Sequence, residues 1–527
     1  MKRLVKKLAA LSMLAVMILP MTACGGGSVV AHSDTLKKTI NVAYDAQPNT
    51  YDPHASGATA VAQIATWVFE KLFELDEKGE PKCQLCESYD VNSDNTEWTF
   101  HIRTGVKFHN GETMDADDVA ASMNRWYSKS TIAQKAIQTD SKFEATDSST
   151  VKIKLDSPCL LLPYIIANDV QQASIMPKSI IDIAGNNNLS VDQLIGTSSL
   201  KFTEWAVDSY IRLDKFEDYV PFTEEYSGDW GNKSVNFDTA MVYIVSDSTT
   251  RANGLETGEY DIAFNIQNAD VSRLDSLENV SVENYGQGDM TITMNKSAGA
   301  LFNDFKWRQA IGYAVDIAQM MEASYPTIDG YCPYMVDGSY FEENSPWHTD
   351  VSETVSQNIS KAKQLLNELD YKGTSIRMVT TETYPNLYNA ALVMKQQLEA
   401  IGLNVDLQVY EWGTLLTKIA DPTAFDLYPM SYPYDDNPAS KNYIRKTNTS
   451  GYTNDSVLDQ YILNMNSLSS YDEAQKYWQD IIQPYCIETM QIIHMGDYMI
   501  NVGLSNNVEN FRFYNNIQLG GVKVYEE

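Results

Sequence analysis

Histidine and cysteine are scarce in this chain, six of each among 527 residues. The histidines are dispersed, and none pairs at the i, i+4 spacing that puts two metal ligands on one helix face. Among the cysteines only Cys83-Gln84-Leu85-Cys86 has C-x2-C spacing. Four-ligand zinc needs a second such pair, and Cys159, Cys332 and Cys486 stand singly. Packed structural thiols, a disulfide and a metal pair therefore stay open for Cys83 and Cys86. Also missing are G-x-S-x-G, H-E-x-x-H, a P-loop and a Rossmann glycine pattern, so no enzyme and no cofactor are expected. Basic residues are outnumbered, 39 Lys and Arg against 70 Asp and Glu, for a formal net charge of -31. That balance argues against nucleic acid and an anionic membrane face as partners, since both need basic patches. Otherwise it describes a solvated acidic surface. Beyond the first two dozen residues no run is long and apolar enough to cross a bilayer.

The opening residues read as an address. Lys2 to Lys7 is basic, Leu8 to Leu19 apolar, and Met21-Thr22-Ala23 a small-residue approach to Cys24. Met21-Thr22-Ala23-Cys24 resembles a bacterial lipobox, in which the cysteine is lipidated and becomes the mature N-terminus. Gly25-Gly26-Gly27-Ser28 behind it suits a flexible tether. The remaining length is too great for one compact core, so two or more lobes are expected.

The most informative stretch runs from Trp67 to Trp126. An apolar helical segment leads to a turn at Lys78-Gly79-Glu80-Pro81. Trp98, Phe100 and Ile102 alternate with Thr99, His101 and Arg103 as in a half-buried strand. Gly105 and Asn110-Gly111 mark turns, and Asp115 can cap a helix whose apolar face holds Val119, Met123 and Trp126. These patterns give a mixed α/β unit and no reaction. The phrases Val68-Phe69-Glu70-Lys71-Leu72-Phe73, Trp98-Thr99-Phe100-His101-Ile102-Arg103, Gly105-Val106-Lys107-Phe108-His109-Asn110-Gly111 and Met114-Asp115-Ala116-Asp117-Asp118-Val119 resemble, in order and spacing, the signature of the extracytoplasmic solute-binding proteins of family 5. These are the peptide and nickel receptors of ABC importers. Further phrases follow along the chain. Tyr51-Asp52-Pro53-His54, Met176-Pro177-Lys178, Gly196-Thr197 to Tyr219, Gly258-Glu259-Tyr260-Asp261, Arg308-Gln309-Ala310 to Asp316 and Asn507-Val508-Glu509-Asn510-Phe511 extend the likeness from about Ile40 to Tyr514.

Periodicity adds several elements. Trp307, Ile311, Ala314, Val315 and Ala318 fall on one helical face. Helices are expected over about 359–369, ending near Gly373, and through Leu387, Ala391, Met394, Leu398 and Ile401 to Gly402, with a strand at 403–409. Val457, Leu458, Tyr461 and Met465 mark one late helix, and Ala474, Tyr477, Trp478, Ile481 and Ile482 the next.

The resemblance implies an α/β, class II periplasmic-binding-protein-like fold with two closing lobes and an inserted third. It implies a signal peptide at 1–23, a lipidated tether at 24–38, lobe I from 39–63, 196–293 and 495–527, lobe II from 64–195, and lobe III from 294–494, with crossings near Asn295 and His494. A monomer is expected, extracytoplasmic and anchored through Cys24, capturing a di- or oligopeptide for an ABC permease and ATPase complex. The alternatives are an oligosaccharide or nickel-chelate receptor, or a sensory or chaperone-like surface lipoprotein. Binding such a ligand in a closed cleft calls for aromatic walls and a carboxylate for its ammonium. Trp412, Tyr432, Tyr434, Asp435 and His494 are the candidates. Asp435 matches the aspartate that takes the α-ammonium in the family's peptide receptors, with Asp436 as its alternative. Pro429 stands where oligopeptide receptors carry an arginine.

Overall fold

The computed structural model describes residues 35–526, apart from 138, 337, 350, 352–355, 435–436, 442–443 and 445–450. Cys24, Asp435 and Asp436 lie outside the described residues. Two long antiparallel strands, Val280–Met294 and Ile493–Ser505, form the middle of an eleven-stranded sheet. They pair from Val280 opposite Ser505 to Ile292 opposite Ile493. Beyond the first of them come Leu427–Pro433, Ser375–Thr380 and Asn404–Val409. Beyond the second come Ile262–Ile266, Thr39–Tyr44, Thr239–Ile244, Tyr210–Lys215 and Leu200–Ala206. Tyr334–Met335 adds a short strand alongside Tyr498 and Asp497.

Each long strand buries its two ends in different cores. Val502 and Leu504 pack with Ile40, Val42 and Ile211, whereas Met290, Ile292 and Ile493 pack with Ile376, Met378 and Met394. A third core gathers Trp98, Phe100, Val119 and Trp126 with Tyr340, Trp347 and Trp478. The two long strands thus join two of these cores, and a fourth, smaller core gathers Ala252, Leu255 and Leu274 with Val280.

The signature stretch folds largely as its pattern predicts. Glu97–Ile102 is a strand with Trp98, Phe100 and Ile102 buried. Helix Ala116–Lys129 begins at Asp115, whose side chain accepts from the backbone of Asp117 and Asp118, while Asp118 answers from the third position. Val119, Met123 and Trp126 are fully buried. The apolar segment before it is not one helix, however. The helix Thr59–Val68 stops before Phe69, and Phe73–Leu75 is a strand paired with Pro81–Cys83. Gly79, at φ +69, makes the turn between them.

A second difference lies at 305–324. One continuous apolar face is expected, but helix Phe305–Ala314 ends and Ile317–Ser324 restarts. Asp316 caps the new helix by accepting from the Gln319 amide at 3.1 Å, and its own amide is held by Gln397. The restart turns Ile317 inward and leaves Ala318 exposed. Downstream, helix Pro385–Ala400, Gly402 at φ +96 and strand Asn404–Val409 form the expected helix-glycine-strand unit.

The phrases that carry the family likeness build joints between segments. Arg125 reaches both oxygens of fully buried Asp52, at 2.9 and 2.5 Å, and donates to His54 Nδ1 at 3.0 Å. His54 Nε2 then donates to the Ser174 carbonyl at 2.9 Å. Burial, helped by the Arg125 charge, lowers the His54 pKa to about 4. His109 does a parallel job: its Nδ1 accepts from the Gly196 amide at 3.2 Å and its Nε2 donates to the Ser198 carbonyl at 2.9 Å. Burial holds it at about 4 as well. Glu70 accepts from Gln84 and Thr197, tying the signature to the 196–199 turn.

Cys83, Cys86, Cys159, Cys332 and Cys486 are free thiols. A hydrogen bond between Cys83 and Cys86 lowers the former and, with burial, pushes the latter up. Among the described residues no group of three or more His, Cys, Asp or Glu side chains is placed to hold a metal, and no helix is long and apolar enough to cross a membrane.

Candidate functional site

A cavity of about 1000 Å³ opens where strand ends from two of the cores face each other across the long pair. On one side lie Tyr44 to Pro48, at the end of the first strand, and Phe264 to Ala269. On the other lie Tyr325, Tyr384, Pro385, Asn386 and Ser431. Tyr498 to Asn501 and Gln287, from the long strands, form the floor.

Each wall presents a stacked aromatic pair. Tyr44 lies on Phe264 with ring centroids 4.5 Å apart and planes 11° from parallel. Tyr325 lies on Tyr498 at 5.3 Å and 3°. Amides stand between them, several already oriented by neighbours. Asn386 donates to the Tyr325 hydroxyl at 2.8 Å, Asn501 to the Ile266 carbonyl at 2.8 Å, and Asn265 to Asp45 at 2.7 Å. Gln287 Oε1 is buried with no hydrogen-bond partner, an acceptor left for a guest. Among the described lining residues there is one carboxylate, Asp45, and no Lys, Arg or His. Such walls offer flat apolar faces, neutral donors and acceptors and a negative bias, which suits an extended neutral or cationic ligand.

Backbone chemistry explains how the floor is made. Gly286-Gln287-Gly288 interrupts a long strand with two residues that lack side chains. A Cβ at Gly288 would meet the Tyr432 carbonyl oxygen at 2.1 Å, and one at Gly286 would meet the Tyr434 hydroxyl at 2.8 Å. The bare backbone lets the Leu427–Pro433 strand and the Tyr434 ring press against the floor.

The sequence candidates divide between two places. Trp412 opens helix Trp412–Ile419 and packs edge-on against Tyr384, with centroids 4.8 Å apart, so it backs a cleft residue and does not itself line the cavity. Tyr432 lies opposite Asp289 and beside Tyr428, next to cleft residue Ser431. Tyr434 and His494 come together in a buried ionic group. His494 Nε2 is 3.4 Å from Asp497 and 3.9 Å from Asp289, whose carboxylate is 3.3 Å from the Lys441 ammonium. Burial alone would lower the His494 pKa, yet the Asp497 and Asp289 carboxylates raise it. Burial pushes the Tyr434 hydroxyl up, reinforced by Asp497 and Glu342.

The two aromatic pairs, Gln287, Asn386 and Asn501 were not singled out from sequence. The one legible signal was Gly286-Gln287-Gly288, since glycines inside a strand mark a close approach.

The sequence model of the family described as bacterial extracellular solute-binding proteins, family 5 middle, matches residues 80–454. A probable peptide ABC transporter periplasmic-binding protein, y4tO, of Sinorhizobium fredii is 27% identical over 395 residues, 72% of either chain. The oligopeptide-binding protein AppA of Bacillus subtilis is 25% identical over 98% of this chain and 97% of its own. The structure of AppA in complex with a nonapeptide superposes with a TM-score of 0.73 at 21% identity, covering 93% of this chain and all of AppA. AgaA from A. tumefaciens R10, solved with agropinic acid, gives 0.76 at 22%, covering 93% and 99%. The mixed α/β fold is thus that of the periplasmic binding proteins.

Proposed function

The chain belongs to family 5 of the bacterial extracellular solute-binding proteins, and from that premise we propose that it captures a peptide in its cleft and delivers it to an ABC permease and ATPase complex. One observation carries this reading: a cavity of about 1000 Å³ between two stacked aromatic pairs, floored by the long strands that join two cores. A ligand touching both walls favours the form in which they approach, so binding shifts the population toward closure. The names of y4tO and AppA point to peptides, and a lining without a cation suits a peptide whose main-chain amides and ammonium, rather than its carboxylate, are recognised. Pro429, standing where oligopeptide receptors carry an arginine, agrees with that.

In this reading segments 39–63, 196–293 and 495–527 move as lobe I, 64–195 as the inserted lobe II, and 294–494 as lobe III. Asp435 takes the ligand's α-ammonium, so Asp435→Ala weakens peptide binding by roughly 2–5 kcal/mol and Asp436→Ala by less than about 1. Trp412, Tyr432 and His494 support the aromatic wall and floor, and Tyr434 contacts ligand from the smaller chambers that it lines. Lipidation at Cys24 holds the protein on the outer face of the cell membrane, and Cys24→Ser releases it to the soluble fraction.

Mass spectrometry of small molecules released from the purified mature protein tests the ligand class. Peptide masses are expected. Oligosaccharides or a nickel chelate in their place would refute the peptide reading.

A further inference from the structure

Two smaller chambers lie beside the main cleft. Gln287 and Thr59 also line a small chamber of about 30 Å³ with Pro433 and Tyr434. Tyr434 and Asn515 in turn line a third chamber of about 230 Å³. Its walls come from distant parts of the chain: Glu77 and Gly79 of the hairpin turn, Tyr285 and Gly286 of a long strand, Glu342, Asn344 and Ser345, and Phe513 to Asn515 near the C-terminus.

Its chemistry is that of a cation site. Tyr285 stacks on Phe513 with centroids 4.7 Å apart, and Tyr434 stands on bare Gly286, so aromatic faces line it. Glu342 and Glu77 supply two carboxylates, and no Lys, Arg or His is among the described lining residues. Glu342 forms no hydrogen bond or ion pair through its side chain in the described structure. Its charged neighbours are Asp497, which disfavours its ionised form, and Lys441, which favours it. Aromatic faces beside a partly buried, unpaired carboxylate attract an ammonium or guanidinium group. Gln287 Oε1, buried without a partner, stands between the first and second chambers as a further acceptor.

We propose that this third chamber receives a second cationic group of the ligand, an ammonium or guanidinium on a flexible arm threaded past Gln287 and Tyr434 and held by Glu342. The inference rests on the reading of the main cleft as a peptide site and narrows it to peptides bearing a lysine or arginine side chain.

Calorimetry with tetra-alanine and with tetrapeptides carrying Lys, Arg, Gln or Glu at each position in turn tests it on the mature protein. At one position Lys or Arg is expected to bind about tenfold tighter than Gln, with Glu weakest. Glu342→Gln is expected to abolish that preference while changing the affinity for tetra-alanine less than about threefold. Should that variant fold poorly by circular dichroism, Glu77→Gln, at an exposed turn position, is expected to reduce the preference about threefold. Equal binding of Lys and Gln peptides at every position, or a preference that survives Glu342→Gln in a folded variant, overturns the chamber's role and leaves the peptide reading intact. Binding of no tetrapeptide at all overturns both.

Discussion

Gly288 lies opposite Tyr498 on the paired long strands, and a Cβ added to it would sit 2.9 Å from the Tyr498 hydroxyl and 2.1 Å from the Tyr432 carbonyl oxygen. The second contact is to backbone, which cannot swing aside. Gly288→Ala is therefore expected to cost about 1–3 kcal/mol in urea unfolding and to weaken ligand binding by tilting Tyr498. Gly413→Ala, inside a helix with open space around it, should instead stabilise by up to about 1 kcal/mol. Equal effects of the two substitutions would show that the close approach at Gly288 has no energetic weight.

Acid should loosen the joints built by the signature phrases. His54 and His109 have folded pKa values of about 4 against 6.5 in the unfolded chain. As pH falls below 6.5 the unfolded state takes up protons that the folded state refuses. Stability is full above pH 6.5 and is lost as pH falls through about 4, by roughly 3 kcal/mol for each histidine. Urea midpoints from pH 7.5 to 4 should follow that slope, and His109→Gln should flatten it. A slope unchanged in the variant would exclude His109 as a contributor.

Glu342 should act in the opposite direction. Burial first, then the Asp497 charge, raises its pKa from 4.5 to about 7, against the pull of Lys441. Its contribution is present below pH 4.5 and lost as pH rises through 7. Glu342→Gln should stabilise the ligand-free protein at pH 8 by up to roughly 3 kcal/mol, and by little at pH 4.5. Thermal unfolding at the two pH values checks this, and a variant less stable at pH 8 would contradict it.

Arg125→Ala should be severe. It leaves Asp52 buried and charged without its bidentate partner, a loss of about 3–5 kcal/mol. The double variant with Asp52→Ala should recover part of that. A double-mutant cycle without coupling would place the stability of this joint elsewhere.

Much of the scaffold was legible because it depends on local chemistry. The Asp115 cap, the buried side of Glu97–Ile102 and the stop at Gly402 each follow from residues within a turn or two. The split at Asp316 was not legible, since apolar periodicity runs across it and the restart is fixed by Gln397, distant in sequence. The cleft was mostly illegible for the same reason. Tyr44 meets Phe264 and Tyr325 meets Tyr498 only after separate strand ends are brought together, and no motif marks any of the four. Glycines at 286 and 288, not singled out from the sequence, mark a close approach without saying what approaches. His109 and Glu70, prominent in the family phrases, are joints of the scaffold and line none of the three chambers.

The central claim is that a peptide held between the Tyr44–Phe264 and Tyr325–Tyr498 pairs draws the two walls together. Small-angle X-ray scattering of the mature protein, titrated with the tightest-binding tetrapeptide to calorimetric saturation, tests it most directly. A radius of gyration that falls in proportion to occupancy is the predicted result, and a scattering profile unchanged at full occupancy would contradict it.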